Sequence, residues 1–220
     1  MSRRVPVSSG ADRPTPPRPP ATFEEFLAWC DGDTRAEWVD GEVVLMSPAR
    51  LDHQDVLRFI ARLVSAFVDA HGLGYVYFAP VLMRLPTRPS GREPDLVFVA
   101  SRHAGRLRDT YIDGPADLVV EIVSPDSEER DRVDKLGEYE AAGIPEYWLI
   151  DLPRREAAFY RLDPDGSYRS RVLPGFRLRV AWLSQQPLPR VADVLALTDP
   201  SPAAPGLASA DISTPDEGAP

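Results

Sequence analysis

The 220-residue sequence predicts an α/β domain built on a mixed β-sheet with helices on its faces. Three short apolar runs rich in branched residues indicate central strands that are covered on both faces: Asp95–Ala100, Leu118–Val123 and Glu146–Asp151. Two other segments have apolar residues at helical spacing, Leu51–Ala70 and Ser127–Ala142. Such alternation of strands and helices is typical of this fold class.

The shorter elements are predicted from local signals. Thr22 followed by Glu25 is a capping box, which predicts a short helix. Asp40-Gly41 lies between two apolar segments and predicts the turn of an N-terminal β-hairpin. Tyr75–Leu85 alternates and predicts one continuous strand. A closing hairpin is predicted from strands at 157–162 and 168–173 around a turn at 163–166.

Both ends of the chain are predicted to be disordered tails, which leaves residues 22–198 as the domain. Residues 1–21 are rich in proline, and residues 199–220 contain mostly Pro, Ala, Ser and Asp. Neither segment has enough large apolar residues to offset chain entropy. Because the chain has no bilayer-length apolar run and no apolar region after its first arginines, we expect a cytoplasmic protein. Cys30 is the only cysteine, which excludes an intrachain disulfide.

The formal net charge of −9 argues against a protein that coats nucleic acid nonspecifically. Residues 1–20 contribute +3 and residues 199–220 contribute −4, so the middle of the chain carries −8. An acidic domain has no broad attraction for phosphate backbones. It is compatible with an enzyme whose carboxylates bind divalent cations.

Two carboxylates occur where burial is costly. Glu121 lies inside an apolar strand between Val120 and Ile122, where a charge needs an ion pair or a metal ion. We favour a functional role over an ion pair with a buried arginine. Asp95 follows Pro94 at the edge of another strand, where accepting backbone hydrogen bonds is an equal alternative. Oxygen ligands from two strands suit Mg²⁺ or Mn²⁺.

Lys135 is the only lysine in the chain, against 24 arginines. An ammonium is a compact point charge whose pKa can be lowered, whereas a guanidinium is forked and always charged. One retained lysine therefore indicates a position where arginine would not serve. The alternatives are chance, or a solvated helix face with Asp131 one turn earlier.

Around these three residues the sequence resembles the Uma-two family of endonucleases, within the PD-(D/E)XK restriction-endonuclease-like superfamily. The resemblance covers roughly residues 35–165 and is most specific from Val120 to Asp151. The matching segments are Glu37-Trp-Val-Asp-Gly41-Glu42, Met46-Ser-Pro48 with His53, Pro94-Asp95-Leu96-Val97, Asp117-Leu-Val-Val-Glu121-Ile-Val-Ser124-Pro125, Asp131-x-x-x-Lys135 with Tyr139, and Gly143-Ile-Pro-Glu-Tyr-Trp-Leu-Ile-Asp151.

The resemblance implies a restriction-endonuclease-like fold, a mixed central sheet flanked by helices with an N-terminal hairpin, and metal-dependent hydrolysis of DNA. Asp95 and Glu121 would hold Mg²⁺ or Mn²⁺, and Lys135 would orient or deprotonate the attacking water. In the superfamily pattern the lysine follows the glutamate by two residues, but Val123 occupies that position here. The resemblance implies that the lysine has moved to the next helix. Folds of this kind often act as homodimers.

Three further residues are accessory candidates. His53 could bind metal or substrate phosphate, although a capping or surface histidine is more common. Glu42 could be a further metal ligand, although a solvated hairpin charge is the favoured interpretation. Tyr139 could fix the Lys135 ammonium or a phosphate, and core packing is an equal alternative.

Two other functions stay open at this point. The acidic domain and its tails are also compatible with a non-catalytic binding or assembly module that retains the nuclease fold. A hydrolase of another phosphate ester is the third hypothesis, because the motif fixes the chemistry better than the substrate. The sequence does not distinguish DNA from RNA.

Overall fold

The computed structural model describes residues 19–30, 34–123, 133–152, 154, 156–158, 167–169 and 172–197. Most of each predicted tail lies outside these residues, as do the predicted helix start at Ser127 and the predicted turn at 163–166. No helix in the described part of the chain is long and apolar enough to cross a membrane.

The described residues form helices and strands in the following order. The N-terminal half contains α1 (Phe23–Trp29), β1 (Ala36–Val39), β2 (Glu42–Leu45), α2 (Leu51–His71), β3 (Gly74–Phe78), β4 (Leu82–Leu85), β5 (Ser90–Arg92), β6 (Leu96–Ala100) and a 3₁₀ helix (Ser101–Arg106). The C-terminal half contains β7 (Tyr111–Asp113), β8 (Leu118–Val123), α3 (Lys135–Ala141), β9 (Glu146–Asp151), β10 (Glu156–Ala158), β11 (Ser167–Arg169), β12 (Arg177–Arg179), α4 (Val180–Leu183) and α5 (Val191–Leu197).

Two mixed five-stranded sheets carry the fold, which confirms the predicted class. The central sheet has the order β10-β9-β8-β6-β3 and is antiparallel except for the β8–β9 pair. The second sheet has the order β2-β1-β5-β4-β7 and is antiparallel except for β4–β7. The N-terminal hairpin β1–β2 thus belongs to a larger sheet, and its turn has positive φ at both Asp40 and Gly41.

The prediction of one strand over Tyr75–Leu85 is wrong. β3 ends at Phe78 and pairs with β6 of the central sheet, whereas β4 begins at Leu82 and pairs with β5 and β7 of the second sheet. Pro80 lies between them and has no N–H to donate to a ladder, so a strand is interrupted there. The alternation of apolar residues continues across the break, and periodicity alone therefore does not reveal it.

The two faces of the central sheet are covered differently. One face packs against α2, whose apolar stripe ends at Gly72 in the left-handed conformation. The opposite face packs against α3 and strands of the second sheet. Because side chains alternate along a strand, each strand supplies both faces. The α2 face takes Leu96, Phe98, Leu118, Val120, Ile122, Trp148 and Ile150, and the opposite face takes Val97, Val99, Val119, Val123, Tyr147 and Leu149.

Candidate active site

The register of β6 and β8 sets the two predicted metal-binding carboxylates beside each other. Leu96 pairs with Val120 in this antiparallel ladder, so one further step places Asp95 opposite Glu121. Opposed Cα atoms in such a pair lie about 4.5–5.5 Å apart. The backbone N–H of Ile122 donates to Oδ2 of Asp95 at 2.7 Å, which ties this carboxylate to the strand of Glu121.

Lys135 reaches Glu121 from the first turn of α3. Its Nζ atom donates to Oε1 of Glu121 at 2.9 Å. Both side chains are buried, with Lys135 at 1% and Glu121 at 3% exposure. A buried charge needs an opposite charge nearby, and Lys135 and Glu121 provide this for each other. The structure therefore brings all three principal candidates, Asp95, Glu121 and Lys135, to one end of the β6–β8 pair.

Tyr139 lies one helical turn after Lys135 and contacts the same carboxylate. Its hydroxyl donates to Oε1 of Glu121 at 2.8 Å, and its ring packs edge-on against Tyr147. Burial and then the charge of Glu121 raise the pKa of Tyr139 well above its ordinary value, so it stays a proton donor. Tyr139 thus packs in the core as one alternative expected, and its hydroxyl contacts Glu121 rather than the Lys135 ammonium.

His53 lies on the other side of Asp95, at the start of α2. Its Nε2 atom is 3.1 Å from Oδ2 of Asp95, and its Nδ1 atom is buried without a hydrogen-bond partner among the described residues. Burial lowers the pKa of His53, but the hydrogen bond and charge of Asp95 outweigh it, so the net shift is upward. Among the described residues, the contact of the His53 ring is therefore with the Asp95 carboxylate.

Glu42 is not brought to this cluster. It is exposed on β2, opposite Val39, and no hydrogen bond or ion pair in the described part of the chain joins it to the other candidates. The geometry matches the interpretation of Glu42 as a solvated hairpin charge.

Glu37 is the site residue that the sequence analysis did not select. It lies on β1 with 0% exposure, and its Oε1 atom is 3.0 Å from Nζ of Lys135. The signal was present, because Glu37 stands in an apolar strand between Ala36 and Trp38, as Glu121 stands between valine and isoleucine. The same burial argument applied to β1 would have identified it.

Arg92 links Glu37 back to α3. Its Nη1 atom donates to Oε2 of Glu37 at 3.0 Å, while Nε and Nη2 donate to Oε2 of Glu138 at 3.0 and 2.6 Å. Ser90 Oγ donates to the other oxygen of Glu138. With every group ionised, the buried set of Glu37, Arg92, Glu121, Lys135 and Glu138 has three anions and two cations, and none of the five is more than 4% exposed.

The donor set fits a hard divalent cation bound by few protein ligands. The buried set has one more anion than cations, and Asp95 places a further carboxylate beside it. No described residue hydrogen-bonds to the Oδ1 atom of Asp95. In the described part of the chain, no group of three or more His, Cys, Asp or Glu side chains is arranged to hold a metal. Mg²⁺ commonly binds through one or two carboxylates and substrate phosphates, whereas a zinc site needs three or four protein ligands.

A cleft of about 940 Å³ opens beside His53. It lies where β8 and β9 end, between the first half of α2 and the segment that leads into α5. Arg50 and Arg58 on its wall are paired with aspartates of α2. No ion pair is found for Arg62 or Arg190 among the residues that the structure describes, so two lining cations are available to an anionic ligand.

Comparison with known proteins identifies the family. The model of the Uma2 family, described as "Putative restriction endonuclease", matches residues 23–197. The chain belongs to the Uma2 family. This confirms the resemblance seen in the sequence.

A solved structure shows the same fold. It is a protein from Anabaena variabilis ATCC 29413 described as "a putative nuclease belonging to DUF820". Its TM-score to this chain is 0.62, and the two sequences are 16% identical. The match covers 75% of this chain and 98% of the Anabaena chain. Comparison with curated proteins gives no match.

Proposed function

We propose that this Uma2 protein is a Mg²⁺- or Mn²⁺-dependent endonuclease that hydrolyses phosphodiester bonds of DNA. The observation that carries the proposal is the contact of the only lysine, Lys135, with Glu121 at 2.9 Å, on the strand whose Ile122 N–H donates to Asp95. A buried glutamate and lysine and a partly buried aspartate at one strand end supply the groups that hydrolysis of a phosphodiester needs.

In this proposal the carboxylates of Asp95 and Glu121 hold the cation. A divalent cation there supplies a water of lowered pKa and a Lewis acid for the phosphoryl oxygen. His53 and the N–H of Ile122 keep Asp95 in place. The Lys135 ammonium donates a hydrogen bond to the attacking water or to a phosphoryl oxygen, where negative charge develops in the transition state.

The cleft supports a nucleic-acid substrate despite the acidic composition of the chain. Arg62 and Arg190 present cations along the cleft that His53 borders. A few arginines that contact backbone phosphates can supply local affinity, because each releases condensed counterions. The proposal therefore assigns binding of the substrate strand to this cleft and hydrolysis to the neighbouring carboxylates.

Nicking of supercoiled plasmid DNA tests the proposal. The wild-type protein should nick DNA with Mn²⁺ or Mg²⁺ and lose this activity in excess EDTA. Lys135→Ala and Glu121→Ala should each lower the rate by about 10²–10⁴-fold, the usual contribution of a positioned proton donor or of charge stabilisation. Glu140→Gln, an exposed carboxylate on the same helix, is the matched control and should nick at the wild-type rate. Undiminished nicking by both alanine variants would exclude this centre.

A further inference from the structure

Glu37 reaches the candidate active site from a different sheet. Lys135 Nζ lies 2.9 Å from Oε1 of Glu121 on β8 and 3.0 Å from Oε1 of Glu37 on β1. The ammonium is thus held between two carboxylates, one from each five-stranded sheet. All three residues are at most 3% exposed.

The position of Lys135 in the chain explains why a second acceptor matters. Glu121 is fixed by its strand, but Lys135 begins α3, and a long, flexible stem separates its ammonium from the backbone. A single acceptor, Glu121, sets how far the nitrogen lies from that carboxylate but lets it move around it. A second acceptor on the other sheet restricts this movement, because the nitrogen must stay within hydrogen-bond distance of both carboxylates.

Glu37 is itself held rigidly. Arg92 Nη1 donates to its Oε2 atom at 3.0 Å, and the backbone N–H of Glu93 donates to Oε1 at 3.2 Å. Arg92 is bound in turn to Glu138, one turn after Lys135 on α3. The contacts therefore form a closed path from α3 to β1, to β5 and back to α3. This path fixes the helix that carries the lysine relative to the sheet that carries Glu37.

We propose that Glu37 is a positioning residue that holds the Lys135 ammonium against Glu121, and that Arg92 orients Glu37 for this purpose. Glu37 is not a metal ligand in this assignment, because both of its oxygens already accept hydrogen bonds from cations or backbone. The catalytic consequence rests on the proposed endonuclease function, whereas the positioning of Lys135 does not. In this proposal, the second sheet supplies Glu37 and Arg92, which position the lysine beside the glutamate of the central sheet.

Kinetics of Glu37→Gln and Glu37→Ala test the catalytic part. Gln keeps an acceptor oxygen but loses the charge, and Ala loses both. We expect kcat for nicking to fall about 10-fold in Glu37→Gln and about 100-fold in Glu37→Ala, within the range for a proton-transfer group that is out of position. KM for DNA should stay within about twofold of wild type, and the Kd for Mn²⁺, measured by calorimetry, should rise by less than about 10-fold in both variants, because Glu37 is assigned as a neighbouring charge and not as a ligand.

Acylation of the single lysine tests the positioning itself, without any need for nuclease activity. Because Lys135 is the only lysine, acetylation by a small activated ester, followed by mass spectrometry of the lysine peptide, reports one site. Lys135 should react slowly in the folded wild-type protein and in the Glu140→Gln control. It should react at least about 10-fold faster in Glu37→Gln, because the ammonium loses one of its two charged acceptors while the fold is kept.

The outcomes separate the two proposals. Faster acylation with no nicking by the wild-type protein would support the positioning role and reject the endonuclease. Unchanged acylation and unchanged kcat in Glu37→Gln would overturn the positioning role. A loss of Mn²⁺ affinity in Glu37→Gln as large as in Glu121→Gln would also overturn it, because Glu37 would then be a ligand. If thermal unfolding shows that Glu37→Ala does not fold, the results for Glu37→Gln alone test the positioning role.

Discussion

The two faces of the central sheet are made by the same strands but are built from opposite chemistry. Toward α2, strands β6 and β8 present Leu96, Phe98, Val120 and Ile122, and the interface is a continuous apolar cluster. Toward α3, β8 presents Glu121, and buried charges from α3 and the second sheet surround it.

One face therefore mainly stabilises the domain, whereas the other carries the groups proposed to bind the cation. The α2 face buries apolar area, which contributes free energy in proportion to that area and tolerates substitutions that conserve volume. The α3 face buries more anions than cations, an arrangement that costs desolvation energy and is useful where a cation is to be bound. The two faces should therefore respond differently to substitution.

The largest effect on stability is expected at Arg92. Arg92→Met removes the cation that Glu37 and Glu138 share and leaves two buried carboxylates without it. The free energy of unfolding should fall by about 3–5 kcal/mol, as for other broken buried ion pairs. Urea denaturation followed by tryptophan fluorescence measures this loss.

A triple variant provides the control for Arg92. Combining Arg92→Met with Glu37→Gln and Glu138→Gln removes the uncompensated charges, so most of the lost stability should return. No recovery in the triple variant would show that Arg92 acts by packing rather than by charge.

A similar or somewhat smaller loss is expected on the apolar face. Ile60 of α2 is 1% exposed within the apolar cluster, and Ile60→Ala should lower the free energy of unfolding by about 2–5 kcal/mol. Below the unfolding transition, the Kd for Mn²⁺ should not change, because Ile60 belongs to the apolar cluster and lies about two helical turns from His53, the residue of α2 that contacts Asp95. A weaker Mn²⁺ affinity in the folded variant would mean that the two faces are not independent.

Tyr139→Phe isolates one hydrogen bond on the charged face. The hydroxyl of Tyr139 donates to Glu121 at 2.8 Å in a buried position, and its loss should lower the free energy of unfolding by about 1.5–3 kcal/mol. Tyr75→Phe is the matched control, since Tyr75 is 44% exposed on β3, and it should stay within about 0.5 kcal/mol of wild type. Equal stabilities for both variants would contradict the role given to the Tyr139 hydroxyl.

The smallest effect is expected at the cleft. Arg62→Ala removes a cation that has no ion pair among the described residues, so the slope of log affinity for DNA against log salt concentration should become shallower by about one unit. Arg58→Ala should change the slope less, because Arg58 is already paired with Asp55. Fluorescence anisotropy with labelled DNA over a range of salt concentrations distinguishes the two. Identical slopes for both variants and wild type would remove the cleft from the proposed DNA contact.

Features that depend on local sequence were predicted well. The apolar runs at 96–100, 118–123 and 146–151 became central strands, and the helical spacing from Leu51 became α2. Glu121 could be identified because a charge inside an apolar strand is costly wherever the strand lies. Lys135 stood out because the chain contains no other lysine.

Features that depend on packing between distant segments were not predicted. The break at Pro80 divides an alternating run between two sheets, and the pairing partners of each half are set by tertiary structure. The contact of Arg92 with Glu37 joins residues 55 positions apart in different strands of the second sheet. Glu37 was visible as a carboxylate in an apolar strand, but its place beside Lys135 follows only from how the two sheets pack.

Calorimetric titration with Mn²⁺ tests most directly whether the charged face is a metal-dependent catalytic centre. The wild-type protein and the Glu140→Gln control should each bind Mn²⁺ at one saturable site, and Asp95→Asn and Glu121→Gln should each abolish that binding because each removes one of few carboxylate ligands. Glu37→Gln should still bind Mn²⁺ at this site, with affinity weakened by less than about 10-fold, because it removes a neighbouring charge but no ligand. Saturable binding that survives both Asp95→Asn and Glu121→Gln, or no binding by the wild-type protein, would contradict the metal centre proposed for Asp95 and Glu121.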